Sequence, residues 1–444
     1  MDAINGADTA WVMTSAALVL LMTPGLALFY GGMVRSKSVL NMIMMSFSAM
    51  GVITVVWVIV GFSLAFGTDS GGGFIGNFEH FGLSNALNQP VGPEGHQIPL
   101  LAFVMFQMTF AIVTTALLSG AIADRAKFSS WIVFMIAWAL LVYVPIAHWA
   151  FALQGGTGGW ISDRLGALDF AGGTAVEINS GASALALALV VGTRIGFKHD
   201  SMRPHNLPLV LLGAGLLWFG WLGFNAGSAL SAGSLAATAL VNTQIATACG
   251  ALTWIAVEKF RDGHPTTLGA ASGAVAGAVA ITPACGFVTP LGALVIGLAA
   301  GAICAWAVSQ KFRFGFDDSL DVVGVHGVGG FVGMIGIGLF AAVIANKAGA
   351  NGLFFGGGAT LLSKQVIASL ATAAYAFIVT WIIATVITKT MGFRAEPDDE
   401  VAGLDTTIHA ESAYDFAGVA GGGSIGSSHH PLRDLIARSR EEDQ

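Results

Sequence analysis

Eleven apolar runs of at least about 18 residues punctuate the 444-residue chain, and a helix of that length crosses a hydrocarbon core of roughly 30 Å. They run approximately 9–34, 39–66, 98–122, 128–151, 170–191, 207–229, 236–257, 267–284, 289–308, 320–342 and 365–388. Backbone amides in lipid need internal partners, so such runs wind into helices, and the expected fold class is an all-α polytopic membrane protein of eleven transmembrane helices. Charged residues are 10% of the chain, against about 25% in an ordinary globular protein, too few to coat several soluble domains. The 60 glycines suit closely packed membrane helices. The first run is too long for a signal peptide and lacks a basic leader and cleavage site, so it is expected to stay in the mature chain. A net charge of -7 without a basic patch speaks against nucleic acid. Cys249, Cys285 and Cys304 lie in apolar stretches without metal-ligand spacing and read as buried thiols; no metal and no cofactor is expected.

Lysine and arginine set the expected orientation, since cytoplasmic loops carry their excess. Alternating loops and the tail place sixteen of the nineteen on one side, and only Arg164, Lys347 and Lys364 on the other. The N-terminus is therefore expected outside and the C-terminus in the cytoplasm. The outer loop 67–97 has no Lys or Arg at all. Residues 1–388 form the transmembrane domain, and 389–444 a cytoplasmic tail that turns Gly/Ser-rich from Gly421 to Ser428 and is expected to be flexible after about 416.

An ionisable residue deep in a spanning helix is costly and marks function by default. Only Glu177 and His326 lie well inside an apolar run, while Asp169, Asp318, Asp321 and His148 lie near helix ends. Glu177 stands about 11 Å in from one side and His326 about 9 Å in from the other, at 1.5 Å per residue. Asp169 precedes Glu177 by eight residues and Asp318 precedes His326 by eight, each pair among glycines. Helices 5 and 10 thus read as equivalents in two inverted five-helix repeats, about 9–191 and 207–342, with an eleventh helix at 365–388. Either residue alone would equally serve as a hydrogen bond to a neighbouring helix; the repeat-equivalent placement favours a shared pathway.

Aromatic residues form a second constellation. Phe106 and Phe110 share a face of helix 3, and helix 6 carries Trp221, Phe224, Asn225 and Ser228 towards the same side. A cation would meet ring faces there, although aromatics in membranes also serve as interfacial belts.

These residues resemble the Amt/Mep/Rh ammonium transporter family. The stretch Gly166 to Asn179, with Asp169 and Glu177, is similar to the family signature at the start of helix 5; Asp317 to Gly329, with Asp318, Asp321 and His326, to the helix 10 motif; and Trp218 to Ser228 to that of helix 6. The resemblance runs from about Ala10 to Tyr414. It implies a homotrimer with one hydrophobic pore per protomer. By motif, Phe106, Trp221 and Ser228 fall at an outer ammonium-recruitment site organised by Asp169, with Phe110 and Phe224 as the gate beneath. His326 matches the second of the family's two pore histidines, while Glu177 replaces the first, a variant also seen in fungal members. The family's tryptophan three residues after Ala-His is absent after Ala147-His148, which leaves open whether Trp149 or Phe151 closes the site. The tail motif Gly403, Leu404, Asp405, then Glu411 and Tyr414, is similar to the family's cytoplasmic segment, which couples protomers and meets PII-type signal proteins.

The resemblance implies that ammonium, or methylammonium as its analogue, is taken up at the cell membrane in a non-enzymatic process. Charge separates ammonium poorly from hydrated potassium, but ammonium alone can shed a proton and cross an apolar tube as ammonia. A Glu177 and His326 pair would relay that proton. Two other readings stand beside it, a poorly conducting ammonium sensor and an intramembrane enzyme using Glu177 and His326. The enzyme lacks a nucleophile or metal triad, and a 56-residue tail is short for a signalling domain.

Overall fold

The protein is described here over residues 4–414 in a computed structural model. Among the described residues, ten helices are long and apolar enough to cross a membrane: α1 Gly6–Met33, α2 Ser36–Phe66, α3 Leu100–Ile122, α4 Phe128–Phe151, α5 Gly173–Val191, α6 Leu207–Gly227, α7 Ser234–Asp262, α9 Pro290–Phe314, α10 Val323–Phe340 and α11 Thr360–Thr390. Between α7 and α9 lies α8, Thr267–Ile281, which is apolar but only 15 residues long, about 22 Å at 1.5 Å per residue.

The shortness of α8 departs from the expected 267–284 run, and Pro283 is the physical reason. Its ring cannot continue the hydrogen-bond ladder, and its carbonyl instead accepts the Phe170 N–H at 3.0 Å, just before α5. From Gly269 on, nearly all of α8 is buried. Enclosed by protein rather than lipid, it need not match the bilayer. Its repeat counterpart, α3, is the most enclosed of the long helices, 89% buried over its apolar window.

The packing follows the expected duplication. The first helices of the two repeats, α1 and α6, lie against each other, and so do the starts of α5 and α10. The eleventh helix, α11, packs along α5. The loop between α2 and α3 carries a short hairpin, β1 Pro90–Val91 paired antiparallel with β2 Ile98–Pro99.

After α11 the tail forms two short helices, α12 Pro397–Ala402 and α13 Leu404–His409, with Gly403 between them. Leu404 is fully buried, and the Asp405 carboxylate accepts the N–H groups of Leu40 and Asn41 at 3.0 and 2.8 Å, supplying donors at the start of α2 with the acceptor they lack. Tyr414 hydrogen-bonds His205 at 2.7 Å, whereas Glu411 is exposed. The flexible stretch expected after about 416 lies outside the described residues.

Candidate functional site

The same local device opens α5 and α10. Before α5, Asp169 Oδ1 accepts the N–H groups of Gly172 and Gly173 at 2.8 and 2.7 Å, and Oδ2 accepts the N–H and hydroxyl of Thr174. Gly172 turns the chain with φ +113°, a conformation closed to most side chains. The first turn, Gly173–Ile178, is π-helical, with the Glu177 N–H donating five residues back to the Gly172 carbonyl at 3.1 Å. Before α10, Asp318 Oδ2 accepts the Val323 N–H at 2.7 Å, and the turn Val323–Gly327 is again π-helical. Single π turns of this kind cluster at functional sites. Each holds the ionisable residue eight positions after its capping aspartate.

These two residues meet. Glu177 Oε2 and His326 Nδ1 are 2.7 Å apart, with side chains only 1% and 5% exposed. Glu177 Oε1 has no hydrogen-bond partner among the described residues. Their approach is permitted by glycine on glycine: a Cβ on Gly181 would lie 2.1 Å from the Gly327 Cα, so α5 and α10 touch through their backbones.

Above this pair, towards the end of the bundle where α1 begins, lies a cavity of about 330 Å³ whose walls include Gln107, Phe110, Phe151, Asp169 and Ser228. Its floor is closed by Phe110 and Phe224, stacked at 4.0 Å between centroids and 28° between planes. Beneath the rings is a space of about 10 Å³ bordered by Trp221, Phe224, Glu177, His326 and aliphatic side chains, scarcely enough for one water.

The aromatic residues expected at the recruitment site are thereby divided. Phe151 and Ser228 line the upper cavity, as does Asp169, whose carboxylate oxygens are already engaged by the chain around them. Trp221 instead borders the lower space and donates its indole N–H to Thr282 at 2.8 Å. Phe106 is fully buried behind Phe110, edge to face at 4.9 Å. Trp149 does not line the cavity; its indole donates to the Phe74 carbonyl and packs on Tyr375. Gln107, not singled out in the sequence, lines the upper cavity; as the one amide side chain of α3 it carried a readable signal.

A family profile for the Ammonium Transporter Family matches residues 10–414. The chain belongs to the ammonium transporter family. It is 53% identical to the ammonium transporter of Mycobacterium tuberculosis over 446 aligned residues, 95% of this chain and 93% of that one. To the Bacillus subtilis ammonium transporter it is 50% identical over 408 residues, covering 92% and 98%. Among solved structures it is similar to Mep2 of Saccharomyces cerevisiae, with a TM-score of 0.82, 36% identity and coverage of 89% and 91%. A structure described as a sensor Amt protein matches with a TM-score of 0.82 at 28% identity, covering 90% and 97%. The protein is thus a multi-pass ammonium transporter of the cell membrane rather than an enzyme.

At the opposite end of the ammonium transporter, Arg125 and Arg194 from the loops form a buried ionic knot with Asp317, the first residue of the helix 10 motif. The fully buried Arg125 guanidinium donates to the carbonyls of Ala121, Ala123, Gly192 and Asp317 and to the Ser319 hydroxyl. Arg194 holds Asp317 through Nε and Nη2 at 2.9 and 2.8 Å. Burial pulls the Arg125 pKa down to about 10, with Asp317 opposing. Burial pushes the Asp317 carboxyl up, but Arg194 and Arg125 outweigh it and hold it below the usual range. Asp321, with φ +64°, pairs with Lys311 at 2.7 Å.

Proposed function

We propose that this transporter recruits ammonium in the cavity beside Ser228, Phe151 and Phe110, removes its proton at the stacked rings and passes ammonia through the narrow space below. The N-terminal end of the bundle faces outwards, by the loop distribution of lysine and arginine. Asp169 keeps the site in shape by fixing the start of α5, and Trp149 supports it from behind. The observation that carries the reading is the 2.7 Å contact between Glu177 and His326 directly below the rings. A carboxylic acid of ordinary pKa, about 4.3, is ionised at neutral pH, and an uncompensated charge there is costly. The pair answers that cost by sharing a proton, and so offers a carrier for the one that ammonium leaves behind.

Glu177→Gln keeps size and a hydrogen bond but cannot ionise. In proteoliposomes given an ammonium pulse, with current and pH recorded together, it is expected to lower the current at least tenfold while the protein remains monodisperse. Wild-type current in this variant from pH 5 to 8 would return Glu177 to a structural role. Methylammonium should compete for uptake and a large excess of potassium should not, because only a cation that sheds its proton passes the apolar space.

The transporter is further proposed to work as a homotrimer whose cytoplasmic tail receives a PII-type protein. The support is the family's known behaviour together with the seating of Asp405 and Tyr414 on helix ends and loops next to the bundle. Light scattering of the purified protein tests the first, and co-purification with a PII-type protein, with and without residues 397–444, tests the second.

A further inference from the structure

We propose that a cleft at the tail-side end of the transporter is a binding site for a phosphate group on an anionic ligand. The inference is independent of the pore mechanism. The cleft, about 590 Å³, opens between segment 194–204, which joins the two repeats, and the turn 310–319 that leads to α10. Cations stand on both walls: Arg194, Lys198 and Arg203 on one, Lys311 on the other.

Their pairing decides which are available. Arg194 is committed to Asp317 and Asp124, and Lys311 to Asp321. Lys198 and Arg203 are exposed and make no ion pair or hydrogen bond among the described residues. The one acid in the lining, Asp200, lies over the Gly196 backbone, with Oδ2 where a Cβ on Gly196 would come within 2.0 Å.

The arrangement is held rather than incidental. Phe197 and Phe312 reach from opposite walls and stack at 5.8 Å and 14°. The Lys198 ammonium lies 5.8 Å from the Phe197 ring centre and that of Lys311 5.4 Å from Phe312, so each end of the ring pair carries a cation. Lys198 adopts φ +69°, a left-handed conformation that residues with side chains rarely take up, and its ammonium crosses the cleft to within 3.7 Å of where a Gly315 Cβ would lie.

Phosphate is the chemistry this favours: Arg203 offers a planar fork of donors, and Lys198 lines the same cleft with an ammonium that has no carboxylate partner among the described residues. Exposed aromatic side chains also stand in and beside the cleft. Phe312, Phe314 and Trp306 are 52%, 71% and 60% exposed in and beside it, as aromatics at the headgroup boundary are, and basic pockets on the cytoplasmic side take anionic headgroups. The phosphate comes from a lipid headgroup or from a soluble phosphate.

The test uses the intact protein in neutral detergent, titrated calorimetrically with dihexanoyl phosphatidylglycerol, dihexanoyl phosphatidylcholine and inorganic phosphate. Saturable binding of phosphatidylglycerol at least tenfold tighter than phosphatidylcholine is expected. The double variant Lys198→Gln, Arg203→Gln should weaken it at least tenfold with an unchanged melting temperature in detergent alone, whereas Lys389→Gln should not. Competition by inorganic phosphate assigns the site to soluble phosphate as well; its failure to compete assigns the site to the lipid headgroup. Equal binding of phosphatidylglycerol by wild type and double variant, or equal affinity for the two lipids, overturns the proposal.

Discussion

The starts of α5 and α10 share a plan and differ in how far they complete it. Asp169 receives four hydrogen bonds from three consecutive residues and uses both oxygens. Asp318 receives the Val323 N–H on Oδ2, while its buried Oδ1 has no partner among the described residues. Burial, only partly opposed by Lys311, pushes the Asp318 pKa up to about 6. Burial pushes the Asp169 carboxyl up as well, opposed there by its four hydrogen bonds, so the two caps differ in how completely their oxygens are partnered. Duplication supplied the scaffold; the surrounding donors decided how far each carboxylate is satisfied.

The largest expected consequence is for Asp169→Ala. It strands three amide donors and a hydroxyl, and at about 1–3 kcal/mol for each buried donor left unpaired, partly offset by relaxation, the loss of stability should be roughly 3–5 kcal/mol. Chemical or thermal unfolding in detergent measures it; a loss no greater than that of Asp318→Ala would erase the distinction between the two caps.

Next comes the pH dependence at Asp318. Its folded pKa is raised to about 6, above about 3.9 for an unfolded aspartate, so the folded state binds the extra proton between these values. Stability should fall as pH rises from about 4 to 6, by about 2–3 kcal/mol at 1.36 per unit, and level off above. Asp318→Asn keeps an acceptor for the Val323 N–H and removes the charge, so this slope should vanish. An unchanged slope in the variant would assign the titration elsewhere.

Smaller effects are expected nearer the pore. Phe224→Ala removes one ring of the stack and should change methylammonium uptake about tenfold, roughly 1.4 kcal/mol on the barrier, with assembly unaltered on gel filtration. Uptake at the wild-type rate would make these rings ordinary packing. Smallest of all is Glu177→His, which makes the two repeats alike in residue type. Uptake should stay within about threefold of wild type, with its pH profile displaced because histidine titrates near 6.5. A profile superimposable on wild type would mean that the side chain at 177 does not titrate during transport.

The sequence by itself determined the spans, the eight-residue interval from each aspartate to its ionisable partner, and the choice of Glu177 and His326 as the residues worth explaining. Hydropathy and helical spacing are local, so they survive without knowledge of neighbours. It could not show that α8 ends at Ile281, just before Pro283, because an apolar run looks alike whether lipid or protein encloses it. Nor could it separate Trp149 from Phe151: the two stand two residues apart at one helix end, and only the packing of Phe74 and Tyr375 around the indole turns Trp149 away from the cavity. The 2.7 Å meeting of residues 149 positions apart was likewise decided by tertiary structure, through the contact of Gly181 with Gly327, since how closely two helices cross depends on the small residues each presents to the other.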